Sequence, residues 1–198
     1  MIILIRHGQS TSNADGLLIG RRDPSLTELG ERQARSLATS LAGVEVAWTS
    51  PLARARQTAA FALPALTPVV KESFVEVDYG DLEGRPLSAV ASEWTAWAAR
   101  GHDAAFGGGE SLASVDRRVH GELETLLADP CSLLHSPNRH LAIVSHVSPI
   151  KSAAMWALGV PGSVAWRTRL DNGSLTVIGV RAMSPVLVRL NAVPELVA

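Results

Sequence analysis

The chain has 198 residues, 46% hydrophobic and 19% charged, a length and balance that suit one folded domain and exclude a disordered tract. Its formal net charge of -1, from 18 Lys and Arg against 19 Asp and Glu, gives no electrostatic footprint for nucleic acid or an anionic membrane surface. One cysteine, Cys131, excludes an intrachain disulfide and a thiolate metal cage and fits a reducing compartment.

The chain opens "MIILIRHGQSTSN". Ile2 to Ile5 form a continuous apolar run, as in a strand covered on both faces. No basic stretch precedes an apolar run of membrane length, so neither a signal peptide nor a membrane span is expected and a cytoplasmic location is the default. "GRRDPS" reads as a loop. Residues 26–43 carry Leu26, Leu29, Ala34, Leu37 and Leu41 at helical spacing, with Thr27 as a cap and Gly43 as a stop. "VEVAW" reads as a strand. "TSPLARARQTAAFAL" reads as a helix with Ser50 at its N-cap and Pro51 in its first turn.

"PVVKE" is a third strand, and residues 87–100 a helix carrying Trp94 and Trp97. "GGGES" reads as a flexible loop in which Glu110 and Ser111 cap the next helix; it lacks the Lys-Ser/Thr ending of a phosphate-binding P-loop. That helix has an apolar stripe of Leu112, Val115, Val119, Leu123, Leu126 and Leu127. "HLAIVS" is a strand, "PIKSAAMWALG" a helix, and "SLTVIGV" and "VLVRLN" a closing pair of strands. Strands alternate with helices, which predicts a three-layer α/β sandwich with a largely parallel central sheet and helices on both faces. There is no repeat or linker, so a single domain over residues 1–198 is expected.

Ligands of such sheets bind beyond the carboxyl ends of the strands. Arg6 and His7 follow the first strand, Arg54 the second, Glu76 the third, and Ser145 and His146 the fourth. If these strands are neighbours, two histidines, two arginines and a carboxylate converge. Arginine forks match a phosphoryl group. A neutral imidazole is a competent nucleophile, and nearby guanidinium charge keeps it neutral. A carboxylic acid can protonate a leaving alkoxide. Phosphoryl transfer depends mostly on positioning and charge stabilisation, and this set supplies both without a metal. Alone, any of these groups is as readily structural; Asp78, Asp81 and Glu83 compete with Glu76, and His102, His120, His135 and His140 read as surface histidines. Arg56 should point away from Arg54.

"LIRHGQSTSN", "LTELGERQA", "TSPLARARQTA", "EVDYGDLEG" and "SHVSPIK", in this order over residues 2 to about 151, resemble the histidine phosphatase superfamily with its phosphoglycerate-mutase-like fold. The resemblance implies His7 as the nucleophile that becomes phosphohistidine and Glu76 as proton donor and then base. It implies Arg6, Arg54 and His146 as phosphate ligands, with Ser10 and Asn13 lining the pocket. Gly20 and Arg21 fall on the leaving-group side. Val147 stands where many relatives have glycine, which narrows the floor and counts against bisphosphorylated sugars. The rigid first strand would fix Arg6 and His7, and Gly8 would let the backbone turn towards the phosphate.

The family spans phosphatases and mutases. Mutases carry a longer segment with more cations before the second histidine; residues 86–111 here offer only Arg100, beside Arg85. The expectation is a metal-independent hydrolase, without cofactor, of a small phosphate ester with a weakly anionic or apolar leaving group. Trp94, Trp97 and Phe106 suit such a pocket. A phosphoglycerate mutase and a non-catalytic phospho-ligand-binding module are the alternatives, and a homodimer is left open.

Overall fold

The computed structural model describes residues 1–129, 132, 134, 139–182 and 184–196. Cys131 and His135 lie outside the described residues.

Six strands form one sheet in the order β3-β2-β4-β1-β5-β6. β1 (Ile2–Arg6), β2 (Val44–Thr49), β3 (Val69–Val70) and β4 (His140–Ser145) are mutually parallel. β5 (Leu175–Arg181) runs antiparallel to β1 and to β6 (Ser184–Ala192). The closing strands therefore make a hairpin against an otherwise parallel sheet, as a two-strand ending joined by a short turn must.

Side chains alternate across β1. Ile2 and Leu4 pack with Leu141, Ile143, Val119 and Leu123 on one face, while Ile3 and Ile5 pack with Ala142, Val144, Leu37 and Ala59 on the other. An uninterrupted apolar strand is thus explained by two cores, one on each side. The first face is covered by α5 (Leu112–Ala128) and α6 (Val147–Leu158), and the second by α2 (Glu28–Ser36) and α3 (Ala53–Ala62). A short α1 (Thr11–Ala14) follows the first strand, and α4 (Ala91–Ala99) lies beyond the carboxyl end of the sheet, against Tyr79 and Phe106.

Several boundaries differ from the sequence expectation. The helix expected over 26–43 ends as an α-helix at Ser36 and continues as a 3₁₀ turn, Ala38–Leu41; Thr27 caps it, its hydroxyl accepting from Gly30 N. Ser50 does not cap α3. Leu52 is its N-cap, and the Asp23 carboxylate accepts from Ala53 N at 2.6 Å instead. The third strand is only two residues, both half exposed. α6 begins two residues earlier than expected, with His146 at its N-cap. The glycine run 107–109 is not a free loop. It docks on the turn at 78–81, where Asp81 N bonds Gly107 O and Glu110 N bonds Asp78 O. Ser111 caps α5 as expected, whereas Glu110 forms ion pairs with Arg21 and Arg118. Among the described residues, no helix is long and apolar enough to cross a membrane.

Candidate active site

The register of β1 with β4 brings the site together. Arg6 pairs with Ser145, and His7 N donates to Ser145 O at 3.0 Å. The residues that follow, His7 and His146, therefore leave the sheet side by side, with ring centroids 5.0 Å apart. Both are buried.

The tautomer of His7 is set by its neighbour. Nδ1 lies 2.7 Å from the carbonyl oxygen of Gly8. A carbonyl can only accept, so Nδ1 carries the proton and Nε2 keeps its lone pair. Arg54 Nε donates to that Nε2 at 3.3 Å, the long end of hydrogen-bond geometry. Burial, then the charges of Arg54 and Arg6, hold the His7 pKa well below its ordinary value, so the ring is neutral.

Arg54 is buried and fully directed. Nη1 donates to Arg22 O at 2.7 Å and Nη2 to Gly20 O at 2.8 Å. Arg6 Nη1 donates to Leu170 O at 2.7 Å, while its Nε is buried without a partner. Both guanidinium groups are thus bonded to neutral carbonyls rather than to carboxylates. The nearest ion pair is Asp23 to Arg54 at 3.9 Å. One buried and one part-buried cation held in this way are set up for an anion from outside.

His146 Nε2 lies 2.7 Å from Ser50 Oγ, and its Nδ1 is buried without a partner. Burial, followed by the charges of Arg54, lowers its pKa well below the usual value. The Glu76 carboxylate, also buried, sits on the amino end of α6. Oε2 accepts from Val147 N, and Oε1 accepts from Ser148 N and Val77 N, at 2.9 to 3.1 Å. Helix N-terminal amides orient a carboxylate in this way. Of the competing acids, Asp78 closes a local turn onto Gly80 N and Glu83 is buried as a backbone brace.

Ser10 and Asn13 form a capping box. Asn13 Oδ1 accepts from both the Ser10 amide and the Ser10 hydroxyl, so this pair shapes the turn after β1. Gly20 stands behind Arg54 as the acceptor of Nη2, with no space for a Cβ, which would meet Val77 O at 2.2 Å. Arg21 pairs with Glu110 at 3.2 Å. Val147 lines a cavity of about 280 Å³ that also touches Ser148, Tyr79, Trp94 and Trp166. Trp97 and Phe106 are buried behind Trp94 and do not line it. Gly8 differs from its expected role: its amide donates to Thr58 Oγ1, and a Cβ would meet Gly30 O at 2.2 Å. The glycine is needed where the post-strand backbone crosses the start of α2.

Asn172 and Thr58 were not singled out by sequence, and Ser50 and Glu83 were read in other roles. Ser50 holds His146. Asn172 Nδ2 donates to His7 O and to Asn13 Oδ1 at 3.2 and 3.3 Å. Glu83 accepts from the amides of Arg21, Arg22 and Tyr79 and so fixes the loop whose carbonyls hold Arg54. Thr58 bridges Gly8 N and Arg54 O. Ser50 had a signal, since it directly precedes a proline in a conspicuous segment; the others act by backbone contacts that spacing does not reveal. His102 is part-exposed and paired: its side chain is 27% exposed and its Nε2 lies 2.6 Å from Asp116.

The model of the histidine phosphatase superfamily, branch 1, matches residues 2–193. The chain belongs to that superfamily. It is an enzyme of the phosphatase type. It is 33% identical to phosphoserine phosphatase 1 of Hydrogenobacter thermophilus over 96% of this chain and 91% of that protein. It is also 32% identical to a 2,3-bisphosphoglycerate-dependent phosphoglycerate mutase of Methylobacterium radiotolerans, over 97% and 90%. Among solved structures, a mycobacterial glucosyl-3-phosphoglycerate phosphatase with VO3 superposes with a TM-score of 0.86, at 26% identity over 96% of this chain and 98% of that one. The α-ribazole phosphatase of Shigella flexneri gives 0.83 at 26% identity, over 100% and 98%.

Proposed function

We propose that the chain hydrolyses a small phosphomonoester without a metal, through a phosphohistidine on His7. The observation that carries this reading is the fixed tautomer: His7 Nδ1 is tied to Gly8 O, so the neutral ring keeps its Nε2 lone pair, which faces the buried Arg54 at 3.3 Å. The phosphoryl oxygens take the place of the weak Arg54–His7 contact and bond Arg54, Arg6 Nε and His146 Nδ1. His7 Nε2 attacks phosphorus as the bond to the leaving oxygen breaks, and the Glu76 carboxyl gives that oxygen its proton. Water then attacks the phosphohistidine, Glu76 takes a proton from it, and the N–P bond breaks to release inorganic phosphate. Charge on the equatorial oxygens is met by donors already in place, which is where such sites gain most.

Relatives at similar identity are named as phosphatases and as mutases, so the leaving-group side decides between them. Arg21 and Arg118 are both paired with Glu110, and Arg85 with Glu93. The cavity beside Glu76 holds one lysine, Lys151, whose ammonium is bonded to Thr168 O at 2.8 Å. A clamp of several cations for a substrate carboxylate is absent among the described residues there, which favours hydrolysis. The test is p-nitrophenyl phosphate hydrolysis in EDTA by wild type and His7→Ala, beside exchange of 3- and 2-phosphoglycerate. Hydrolysis by the wild type alone supports the reading. Exchange faster than hydrolysis replaces it with a mutase.

A further inference from the structure

The cavity next to Glu76 is built for more than a small polar alcohol. Its inner wall is the first turn of α6, where Val147 and Ser148 line it while their amides hold the Glu76 carboxylate. On the phosphatase reading above, the leaving oxygen that Glu76 protonates therefore lies at the mouth of this cavity, and the rest of the alcohol extends into it. The volume is about 280 Å³. A cavity of about 150 Å³ suffices for benzene, so a ring of one or two cycles has room.

The walls match such a ring. Trp94 and Trp166 meet edge to face at 5.1 Å and 90°, and Tyr79 stands 6.0 Å from Trp94. Trp166 belongs to a short 3₁₀ turn, Gly162–Arg167, and is 39% exposed. A tryptophan left half open at a cavity rim, beside two rings already packed, offers a π-face for stacking.

The polar end is equally specific. Asp116, on α5, receives Ser152 Oγ at 2.5 Å on one carboxylate oxygen and faces His102 Nε2 at 2.6 Å on the other. These contacts fix the carboxylate and occupy two of its roughly four acceptor positions. Gly162 lies directly over the pair, since a Cβ there would stand 2.4 Å from the His102 ring and 2.9 Å from Asp116 Oδ2. The missing side chain lets the Gly162 backbone pack against the pair, and all three residues line the cavity.

We infer that this cavity selects phosphomonoesters whose alcohol carries a flat aromatic or heteroaromatic ring, stacked on the exposed face of Trp166, with a ring N–H donated to Asp116. The inference rests on the hydrolase reading and adds its substrate class.

The test compares kcat/KM for benzyl and ethyl phosphate, whose leaving groups are similarly basic, and for benzimidazol-2-ylmethyl phosphate and its N-methyl analogue. Burial of the ring predicts benzyl over ethyl by at least about tenfold. A charge-assisted N–H bond predicts the benzimidazole over its N-methyl analogue by at least about tenfold. Trp166→Ala should collapse the first ratio towards one, and Asp116→Asn the second. A smaller benzyl-to-ethyl ratio in the wild type, or one that survives Trp166→Ala, overturns the ring assignment. A ring preference without N–H discrimination overturns the role of Asp116. Because Asp116 also braces His102 and Ser152, the wild-type ratio of the two benzimidazole esters decides that point if the variant fails to fold. Equal turnover of all four esters sinks the pocket assignment and leaves the phosphatase standing; turnover of none, p-nitrophenyl phosphate included, sinks both.

Discussion

The phosphate side and the leaving-group side of the site are built differently. The first hangs on strand ends: Arg6 and His7 leave β1, His146 leaves β4, and the paired register of those strands sets their spacing. Backbone groups orient most of its side chains, from Gly8 O on His7 and Leu170 O on Arg6 to Gly20 O and Arg22 O on Arg54. The second side is assembled from α4, the turn at 78–81, the docked glycine run and the 3₁₀ turn Gly162–Arg167, through side-chain packing of aromatic rings. On the proposed reading, chemistry that tolerates little displacement would sit on the rigid sheet, and selection among substrates on elements that can be remodelled without moving it.

Mutations should separate the two sides by size of effect. His7→Ala removes the nucleophile and should lower kcat by roughly 10⁴-fold or more on every substrate; a tenth of wild-type rate remaining would break the assignment. Arg54→Lys keeps the charge but loses the fork that spans Gly20 O, Arg22 O and the phosphoryl group. It should cost about 10²- to 10³-fold in kcat, measured on p-nitrophenyl phosphate. Glu76→Gln should divide substrates instead: a loss of about 10²-fold or more on alkyl esters, and a much smaller one on p-nitrophenyl phosphate, whose leaving group needs little protonation. Equal losses on both would argue that Glu76 only braces α6.

A smaller effect tests the bracing itself. Asn172→Ala frees His7 O and Asn13 and should reduce kcat by about tenfold with KM nearly unchanged, since it displaces the nucleophile without removing a phosphate ligand. The last effect is on stability rather than rate. His7 and His146 have folded pKa values well below the ordinary histidine value of 6.5. Below that value the unfolded chain binds protons that the folded one refuses, so stability falls as pH drops from 6.5 towards the depressed pKa. The slope is up to about 1.4 kcal/mol per pH unit for each ring. Urea midpoints followed downward from neutral pH should show a steeper loss for wild type than for His7→Gln. The same neutrality means that kcat/KM should show no loss through His7 ionisation as pH falls through 6.5.

Much of the phosphate side was legible in the chain because its determinants are local. An apolar strand, a dipeptide at its end and a Ser-Pro before a helix are runs of neighbouring residues, and Arg6, His7, Arg54, Glu76 and His146 do converge. What escaped were contacts between distant backbones. Gly8 was expected to turn towards phosphate, yet it is glycine because Gly30 passes against it. Glu83 looked like one loop carboxylate among several, yet it is buried on three amides contributed by separate segments. On the other side, Trp94 was rightly suspected of facing a pocket, while Trp97 and Phe106 lie behind it and Tyr79, Trp166 and Asp116 were overlooked. Helical spacing tells which residues share a face, but which face meets the cavity depends on how α4 docks, and that is set by tertiary packing alone.

The central claim is the covalent intermediate on His7. The direct measurement is to mix the protein with a phosphoryl-labelled p-nitrophenyl phosphate, quench in alkali within one turnover, and map the label by peptide. The account predicts an alkali-stable, acid-labile label on the peptide containing His7, absent from His7→Ala. Full hydrolysis by the wild type with no label on that peptide, or with label elsewhere, would contradict it.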